Sequence, residues 1–246
     1  MSHVVLLLTA TIDPKGMTHL ARSDPSVREN DYQISLDRWL KHVDCPVVFC
    51  ENSGHDLSGI QRVAGVSAGR QVELLQFDGQ TYPRHQGKGY GDLLIIRHAL
   101  EHSPALQAAD AVVKVTGRYY VENGREIVDY MRRNPDLHIM ADLKRGLTYA
   151  DSRVFGFRTP FVAQYLTPYQ SRIDDSQGFH LEVALARAAL QAMADGRRWA
   201  PLPVCPRVVG VYGTSNSRHS RNPCRWLLAE GVHQLKSYLM DVCRSL

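Results

Sequence analysis

The chain has 246 residues, of which 44% are hydrophobic and 22% charged, a composition typical of a globular protein with one large core. The formal net charge of +4 is mild, and no Lys/Arg block or basic–aromatic stripe favours nucleic-acid binding. The five cysteines include no Cys-x-x-Cys pair, which argues against a disulfide scaffold and against a structural zinc site.

The N-terminal segment has neither the positive region nor the small-residue cleavage site of a signal peptide. Its apolar run is far too short to cross a membrane, and no other stretch is long enough. We therefore expect a cytoplasmic protein.

Apolar runs alternate with helical patterns along the chain, and a polar stretch over residues 13–31 predicts a long loop near a site. The predicted strands are 4–8, 46–50, 72–77, 111–116, 138–142 and 153–157, and the predicted helices are 32–42, 86–102, 127–133, 179–194 and 225–246. Strands separated by helices indicate an α/β fold with a mainly parallel central sheet flanked by helices. One domain is favoured, with two domains as the alternative.

Four clusters of small or polar residues fall at strand ends or at the start of a helix. Three of them directly follow predicted strands, and the ends of parallel strands share one sheet edge, where open α/β sheets bind ligands. The clusters are Thr9 with Thr11, Glu51-Asn52-Ser53, Lys88-Gly89-Tyr90-Gly91 and Thr116-Gly117-Arg118.

The cluster that ends strand 111–116 is the most informative. Arg118 is a cation beside a glycine that permits close backbone approach, which suits an anionic ligand such as a phosphate. A structural salt bridge to Glu122 or Asp142 is the alternative for Arg118. Lys114, inside the strand, lies either on an exposed sheet face or paired within a site.

Glu51 directly follows four apolar residues of the second strand. A carboxylate at a strand tip accepts hydrogen bonds from a ribose diol or a base N–H. An acid that stabilises a turn is an equally good interpretation, because Glu51-Asn-Ser-Gly54 has strong turn chemistry.

The segment 87–91, Gly-Lys-Gly-Tyr-Gly, opens a predicted helix but has the spacing of neither a Walker loop nor a dinucleotide fingerprint. Its backbone N–H groups and Lys88 are suited to holding a phosphate. A flexible glycine-rich cap with a solvated lysine is the alternative. A later small-residue loop, 212–219, has a similar choice between closing over phosphates and lying on the surface.

An acidic cluster precedes and enters the helix 179–194. Glu182 falls in the first turn, where a carboxylate is suited to taking a proton from a hydroxyl nucleophile. Asp175 is the second candidate for this base, and His180 is nearby. A helix-capping acid is a comparably good interpretation of either carboxylate.

Taken in order, these segments resemble a nucleotide-sugar glycosyltransferase of the GT-A type over residues 4–194. Gly-Lys-Gly-Tyr-Gly and Lys-Val-Thr-Gly-Arg-Tyr also resemble elements of bacterial polysaccharide and lipopolysaccharide biosynthesis transferases. The resemblance implies a donor-binding half, 1–125, an acceptor-side half, 126–224, and a C-terminal amphipathic helix, 225–246.

The implied reaction moves a sugar from a nucleotide-activated donor to a hydroxyl of a glycan or lipid-linked acceptor in surface polysaccharide biosynthesis. The resemblance implies that Thr9, Thr11 and Glu51 bind the nucleoside. It implies that Lys88, Lys114 and Arg118 bind the phosphates, and that Glu182 or Asp175 is the catalytic base. The alternatives are another nucleotide-using enzyme, such as a nucleotidyltransferase, and an inactive nucleotide-sugar-binding protein. The predicted donor-binding residues are Thr9, Thr11, Glu51, Asn52, Ser53, Lys88, Gly89, Gly91, Lys114, Thr116, Gly117 and Arg118.

The chain departs from the family where an Asp-x-Asp motif usually stands, because Thr116-Gly117-Arg118 holds no carboxylate. Either Lys114 and Arg118 neutralise the leaving diphosphate without a metal, or other acids, such as Asp142 or Asp151, hold Mn²⁺ or Mg²⁺. We expect metal independence and assign no firm cofactor.

The predicted helix 225–246 carries an apolar stripe with basic residues beside it. This pattern is compatible with peripheral contact at the inner face of an anionic membrane. Packing onto the core or onto a second subunit, in a homo-oligomer, is the simpler account and is favoured.

Overall fold

The computed structural model describes residues 1–17, 20–66, 69–213, 215–217, 222, 224 and 226–235. Its strands are β1 (Val4–Ala10), β2 (Val47–Glu51), β3 (Val72–Gln76), β4 (Ala111–Thr116), β5 (Tyr120–Val121), β6 (Leu137–Met140), β7 (Leu143–Lys144), β8 (Tyr149–Ala150), β9 (Val154–Arg158), β10 (Arg198–Ala200) and β11 (Val208–Val209). Its α-helices are α1 (Pro25–His42), α2 (Ser58–Val66), α3 (Gly87–His102), α4 (Pro104–Gln107), α5 (Gly124–Arg133) and α6 (Leu181–Ala194). Shorter helical turns are 84–86, 162–166, 167–172 and 175–177, and residues 226–235 are helical.

Seven strands form the central sheet in the order β10-β6-β9-β4-β1-β2-β3. All neighbours pair in parallel except β9, which runs antiparallel to both β4 and β6. The predicted mainly parallel α/β sheet is therefore confirmed. Two small antiparallel pairs, β5 with β11 and β7 with β8, lie outside the central sheet.

Both faces of the sheet are covered, which explains the continuous apolar runs of its central strands. In β1, Leu6 and Leu8 belong to the core cluster under α1 and α5, whereas Leu7 belongs to the cluster under α3 and α6. Because side chains alternate across a strand, β1 supplies both cores at once.

The predicted loop 13–31 is shorter than expected, because α1 already begins at Pro25. Asp24 caps the helix, and its carboxylate accepts hydrogen bonds from the backbone N–H groups of Ser26 (2.8 Å) and Val27 (3.3 Å). An Asp-Pro pair at the cap and first turn is a known helix start, hidden here in a polar stretch. The short elements α2 and β10 were also absent from the sequence prediction.

The C-terminal helical segment contacts the core through polar groups. Glu230 accepts a hydrogen bond from the Cys205 N–H (3.0 Å), and the His233 ring bonds the Leu202 carbonyl (2.6 Å). Leu227 and Leu228 remain 67% and 72% exposed. Residues 225 and 236–246 of the predicted helix lie outside the described residues. Within the described chain, no helix has the length and hydropathy needed to cross a bilayer.

The ends of β1 and β4 meet at Gly117. Thr9 pairs with Thr116 across the two strands, and the Gly117 N–H donates to the Thr9 carbonyl (2.8 Å). A Cβ on Gly117 would lie 2.8 Å from that carbonyl oxygen and 3.4 Å from the Leu8 Cβ. The glycine is therefore required by close backbone approach.

We predict that Gly117→Ala lowers the free energy of unfolding by about 1–3 kcal/mol, because the backbone oxygen has to move away from the added methyl group. Gly65→Ala is the matched control, since its Cβ would meet nothing within 4 Å. In helix α2 that change is neutral or stabilising by about 0.5–1 kcal/mol. Urea unfolding of the variants measures both effects, and a Gly117→Ala protein as stable as the parent would contradict the packing argument.

Candidate functional site

A cleft of about 410 Å³ opens at the carboxyl ends of β1 and β4, between the starts of α3 and α6. This is the edge where parallel α/β sheets bind ligands. Nine of the predicted site residues line it: Thr9, Thr11, Lys88, Gly89, Gly91, Thr116, Arg118, Asp175 and Glu182. The structure therefore brings most of the predicted residues together at one edge of the sheet.

Arg118 is half-buried against the wall of the cleft. Its guanidinium lies over the Tyr119 ring, with Cζ 4.8 Å from the ring centroid, and Nη2 donates to the Tyr119 hydroxyl (3.0 Å). Among the described residues, no carboxylate lies within 4.0 Å of it, so the alternative of a salt bridge to Glu122 or Asp142 does not apply. A partly desolvated cation that lacks a counter-charge favours an anionic ligand.

Lys88 lines the same cleft at the start of α3. Burial lowers the pKa of its ammonium, an effect that Asp175 opposes and Arg118 reinforces. The proximity of Arg118 shows that the two cations share one region of the cleft. A ligand with two adjacent negative groups is suited to such a pair.

Three glycines around Lys88 are explained by close packing. A Cβ would lie 1.8 Å from Asp175 Oδ2 at Gly87, 2.7 Å from the Leu181 Cβ at Gly89, and 2.4 Å from the Tyr82 hydroxyl at Gly91. Gly87 also has φ of 74°, a conformation that favours glycine. Gly89 therefore lets α3 approach the start of α6, Gly87 leaves room for Asp175 in the turn before it, and Gly91 leaves room for Tyr82. This is a packing role that the phosphate interpretation had not considered.

The expected contact between Glu51 and a ribose or base needs correction, because the Glu51 side chain is fully buried outside the cleft. Its carboxylate accepts hydrogen bonds from the backbone N–H groups of Ile12 (2.9 Å) and Ser53 (2.8 Å), and from the Ser53 hydroxyl. The turn-acid alternative describes it better. Glu51 fixes the segment after β1, which carries Thr11 into the cleft.

Asn52 and Ser53 act in the same internal network, so neither lines the cleft as predicted. The Thr11 hydroxyl donates to Asn52 Oδ1 (2.6 Å), and the Asp13 N–H donates to the Ser53 hydroxyl (3.0 Å). These hydrogen bonds stabilise the segment after β1, which forms part of the wall of the cleft.

Lys114 is fully buried and also lies outside the cleft, contrary to the prediction that it contacts phosphate. Its ammonium donates to Asp92 Oδ2 (2.5 Å), to the Ser152 carbonyl (2.9 Å) and to Thr116 Oγ1 (3.3 Å). A buried lysine needs such partners to remain charged. Gly117, likewise, shapes the strand end without lining the cleft.

Two carboxylates line the cleft near α6: Glu182 in the first turn of the helix, and Asp175 in the turn 175–177 that precedes it. Glu182 accepts a hydrogen bond from the Ser152 hydroxyl (2.7 Å), and Asp175 lies 2.9 Å from the Nδ1 atom of His180. Each lines the cleft together with the two cations, and a carboxylate so placed is a candidate for a general base.

Asp142 and Asp151 lie on a second cavity of about 400 Å³, not on the cleft. Asp151 is paired with Lys144 (2.8 Å) and Arg153 (2.6 Å), which leaves it poorly suited to a divalent cation. Within the described ranges, no three His, Cys, Asp or Glu side chains converge as metal ligands. The end of β4, where an Asp-x-Asp motif would hold Mn²⁺ or Mg²⁺, carries Thr116-Gly117-Arg118 and therefore no carboxylate ligand.

Sequence reasoning missed several residues of the cleft, above all Arg28 on α1, Asp92 on α3 and Ser152. Arg28 donates to the Thr11 (Nε, 2.9 Å) and Ile12 (3.1 Å) carbonyls, so it supports the loop after β1. Asp92 lies four residues after Lys88 on the same helix, a spacing that places both on one face. That spacing was the one signal in the sequence.

The roof of the cleft comes from two loops. The Gly213 carbonyl accepts hydrogen bonds from the N–H groups of Ala21 (3.0 Å) and Arg22 (3.1 Å). Gly213 lines the cleft, and a Cβ there would lie 3.1 Å from Arg118 Nη2. Of the loop 212–219, Gly213 lies beside Arg118, and the choice between closing over phosphates and lying on the surface stays open. Residues 214, 218 and 219 lie outside the described residues.

Comparison with solved structures shows that the chain has the GT-A-like α/β fold of nucleotide-sugar transferases. Core-mannan synthase A from Aspergillus fumigatus, in an Mn/GDP form, is similar at 10% identity and a TM-score of 0.51, over 92% of this chain and 80% of that chain. A protein of Desulfovibrio desulfuricans G20, solved as a candidate nucleotide-diphospho-sugar transferase, is similar at 13% identity and a TM-score of 0.47, over 82% of this chain and 80% of that chain. CMP:2-keto-3-deoxy-manno-octonic acid synthetase with CTP is similar at 12% identity and a TM-score of 0.40, over 96% of this chain and 100% of that chain.

No protein-family model and no curated protein matches the chain. At such low identities the similarity establishes the fold, and the function has to be argued from the site.

The two acids of the second cavity allow a test of its electrostatics by pH. Burial raises the pKa of Asp142, whereas for Asp151 the charges and hydrogen bonds of Arg153 and Lys144 outweigh burial and lower the pKa. A raised pKa in the folded state makes the Asp142 contribution most favourable at low pH and less so as pH rises. A lowered pKa makes the Asp151 contribution present at neutral pH and lost as pH falls below about 4.

We therefore predict opposite pH dependences for two matched variants. Relative to the parent, Asp142→Asn becomes more stable as pH rises from 4 to 7, whereas Asp151→Asn is less stable than the parent throughout that range and loses this deficit as pH falls below about 4. Urea unfolding at several pH values measures both, and parallel curves for the two variants would contradict the assigned environments.

Proposed function

We propose that the protein is a glycosyltransferase that moves a sugar from a nucleotide-activated donor to a hydroxyl of an acceptor. The observation that carries the proposal is Arg118, a half-buried guanidinium without a carboxylate partner in the described chain, at the ligand-binding edge of a GT-A-like fold. Its position at the end of β4 is the place where the resemblance had put the metal-binding acids.

The diphosphate is assigned to Arg118 and Lys88. Arg118 presents a planar fork suited to two phosphate oxygens, and Lys88 adds a second cation near the start of α3. Together they would stabilise the charge that develops on the departing nucleoside diphosphate. In this proposal the cations take the place of a divalent metal, and no step requires one.

The nucleoside is assigned to the wall formed by Thr9 and Thr11. Both line the cleft at the end of β1, and the network behind them holds that wall rigid. Glu51, Asn52 and Ser53 contribute through this support and not by touching the donor.

Glu182 is proposed as the base of an inverting reaction. Its carboxylate takes the proton of the acceptor hydroxyl as that oxygen forms a bond to the anomeric carbon. The bond from the anomeric carbon to the diphosphate oxygen breaks, and its electron pair stays on the diphosphate. Asp175, beside His180, is the second choice for the same role.

The acceptor is proposed to be a glycan or lipid-linked molecule of surface polysaccharide biosynthesis, with transfer on the cytoplasmic side. The exposed Leu227 and Leu228 of the segment 226–235 are the surface for peripheral membrane contact or for a second subunit. Liposome flotation and sedimentation would separate these two roles.

A nucleotidyltransferase is the competing function, because the same cations also suit a nucleoside triphosphate. Product analysis separates the two reactions. A glycosyltransferase releases a nucleoside diphosphate, or monophosphate from a CMP-sugar, whereas a nucleotidyltransferase releases pyrophosphate. Donor binding without either product would favour an inactive binding protein.

We predict that calorimetry with a panel of UDP-, GDP-, CMP- and dTDP-sugars detects a donor, with and without EDTA. Arg118→Ala weakens that binding about tenfold or more, because it removes a charged hydrogen-bond donor to phosphate. Arg38→Ala is the matched control, since Arg38 also lies over a tyrosine ring, that of Tyr120, at 5.9 Å. Full donor affinity in Arg118→Ala, or no binding of any panel member, would refute the assignment.

We further predict that Glu182→Gln lowers the transfer rate about 10²-fold or more while the donor affinity changes little, because only proton removal is lost. Glu126→Gln is its control, since Glu126 occupies the first turn of α5 as Glu182 does in α6. Steady-state rates and donor calorimetry give the two readouts. A Glu182→Gln protein with the parent's rate would transfer the role to Asp175.

A further inference from the structure

We infer that Asp92 recognises a hydroxyl of the donor sugar, and that the buried Lys114 holds it in place for this purpose. The inference rests on the proposed function and goes beyond it by assigning the sugar subsite. It begins from the observation that Asp92 lines the cleft while its ion-pair partner, Lys114, is fully buried beneath it.

The position of Asp92 follows from its helix. Lys88 and Asp92 lie four residues apart on one face of α3, and both line the cleft. The helical rise places Asp92 about 6 Å farther along the axis than Lys88. If Lys88 holds phosphate, and the wall of Thr9 and Thr11 holds the nucleoside, the sugar is the part of the donor left for Asp92.

A chain of three hydrogen bonds ties Asp92 to the proposed base. Lys114 donates to Asp92 Oδ2 (2.5 Å) and to the Ser152 carbonyl (2.9 Å), and the Ser152 hydroxyl donates to Glu182 (2.7 Å). Lys114 and Ser152 thus act as positioning residues between the two carboxylates. A sugar on Asp92 would present its anomeric carbon between the phosphate-binding cations and Glu182.

The charge balance at Asp92 selects the chemical class of its ligand. Its side chain is 20% exposed, and its charge is already compensated by an ammonium at 2.5 Å. A second cation would be repelled by Lys114, and a phosphate would be repelled by the carboxylate itself. A neutral hydroxyl donor meets neither objection, and a carboxylate retains oxygen lone pairs for it after the bond to Lys114.

The test compares each nucleotide-sugar of the panel with its parent nucleotide by calorimetry. The variant is Asp92→Leu with Lys114→Met, which removes both charges together and so leaves no buried ion unpaired. The expected result is about a tenfold loss of affinity for the nucleotide-sugar with unchanged affinity for the parent nucleotide. A melting temperature equal to that of the unmodified protein confirms that the double variant is folded.

Asp92→Asn alone is the second variant, because it keeps an acceptor for Lys114 and differs little in shape. It is expected, like the double variant, to lower the affinity for the nucleotide-sugar relative to the affinity for the parent nucleotide. The control is Asp136→Leu with Arg198→Met, which removes another aspartate-containing ion pair (2.6 Å) whose residues do not line the cleft.

Equal loss for nucleotide and nucleotide-sugar, or no loss for either, would overturn the assignment of Asp92. Failure of the proposed function would appear differently, because the unmodified protein would then bind no member of the panel. That outcome would overturn the sugar subsite together with the donor site.

Discussion

The parallel pairing of β1 with β4 is the constraint on which the site depends. The register Thr9↔Thr116 brings two strand ends together, and the bond from the Gly117 N–H to the Thr9 carbonyl closes the junction. The chain then turns immediately, so Arg118 leaves the sheet beside the residues that follow β1. A side chain at Gly117 would push against the Thr9 carbonyl and so disturb the junction that sets Arg118 beside Thr9 and Thr11.

Charge compensation then divides the polar residues into two groups. Lys114 and Asp151 are paired at short distances, and Arg28 bonds to backbone carbonyls, so these charges serve the structure. Arg118 has aromatic contacts but no carboxylate partner within the described residues. The difference matters because desolvated charges without a counter-ion are unfavourable in the folded state alone. A bound anion would remove that cost, which is why we propose Arg118 as part of a donor site.

The sequence was sufficient for the parts of the fold that depend on local pattern. Strand 111–116 and the end of α3 at His102 were predicted at their observed positions, because long apolar runs and helical spacing are strong signals. The parallel topology also predicted the sheet edge at which the candidate cleft lies. Asp24, in contrast, caps α1 within a polar stretch where no apolar period marks a helix.

The side-chain roles were harder to predict, because they depend on tertiary partners. Nothing local to Lys114 reveals that Asp92 lies opposite it on α3, and nothing local to Glu51 reveals the N–H of Ile12.

We propose above all that cations, without a metal, hold the donor diphosphate. A crystal structure with the nucleoside diphosphate of the tightest-bound donor, grown with Mg²⁺ present, tests it most directly. We predict phosphate oxygens on Arg118 and Lys88 with no metal between them, and a metal ion bridging the diphosphate to protein carboxylates would contradict it.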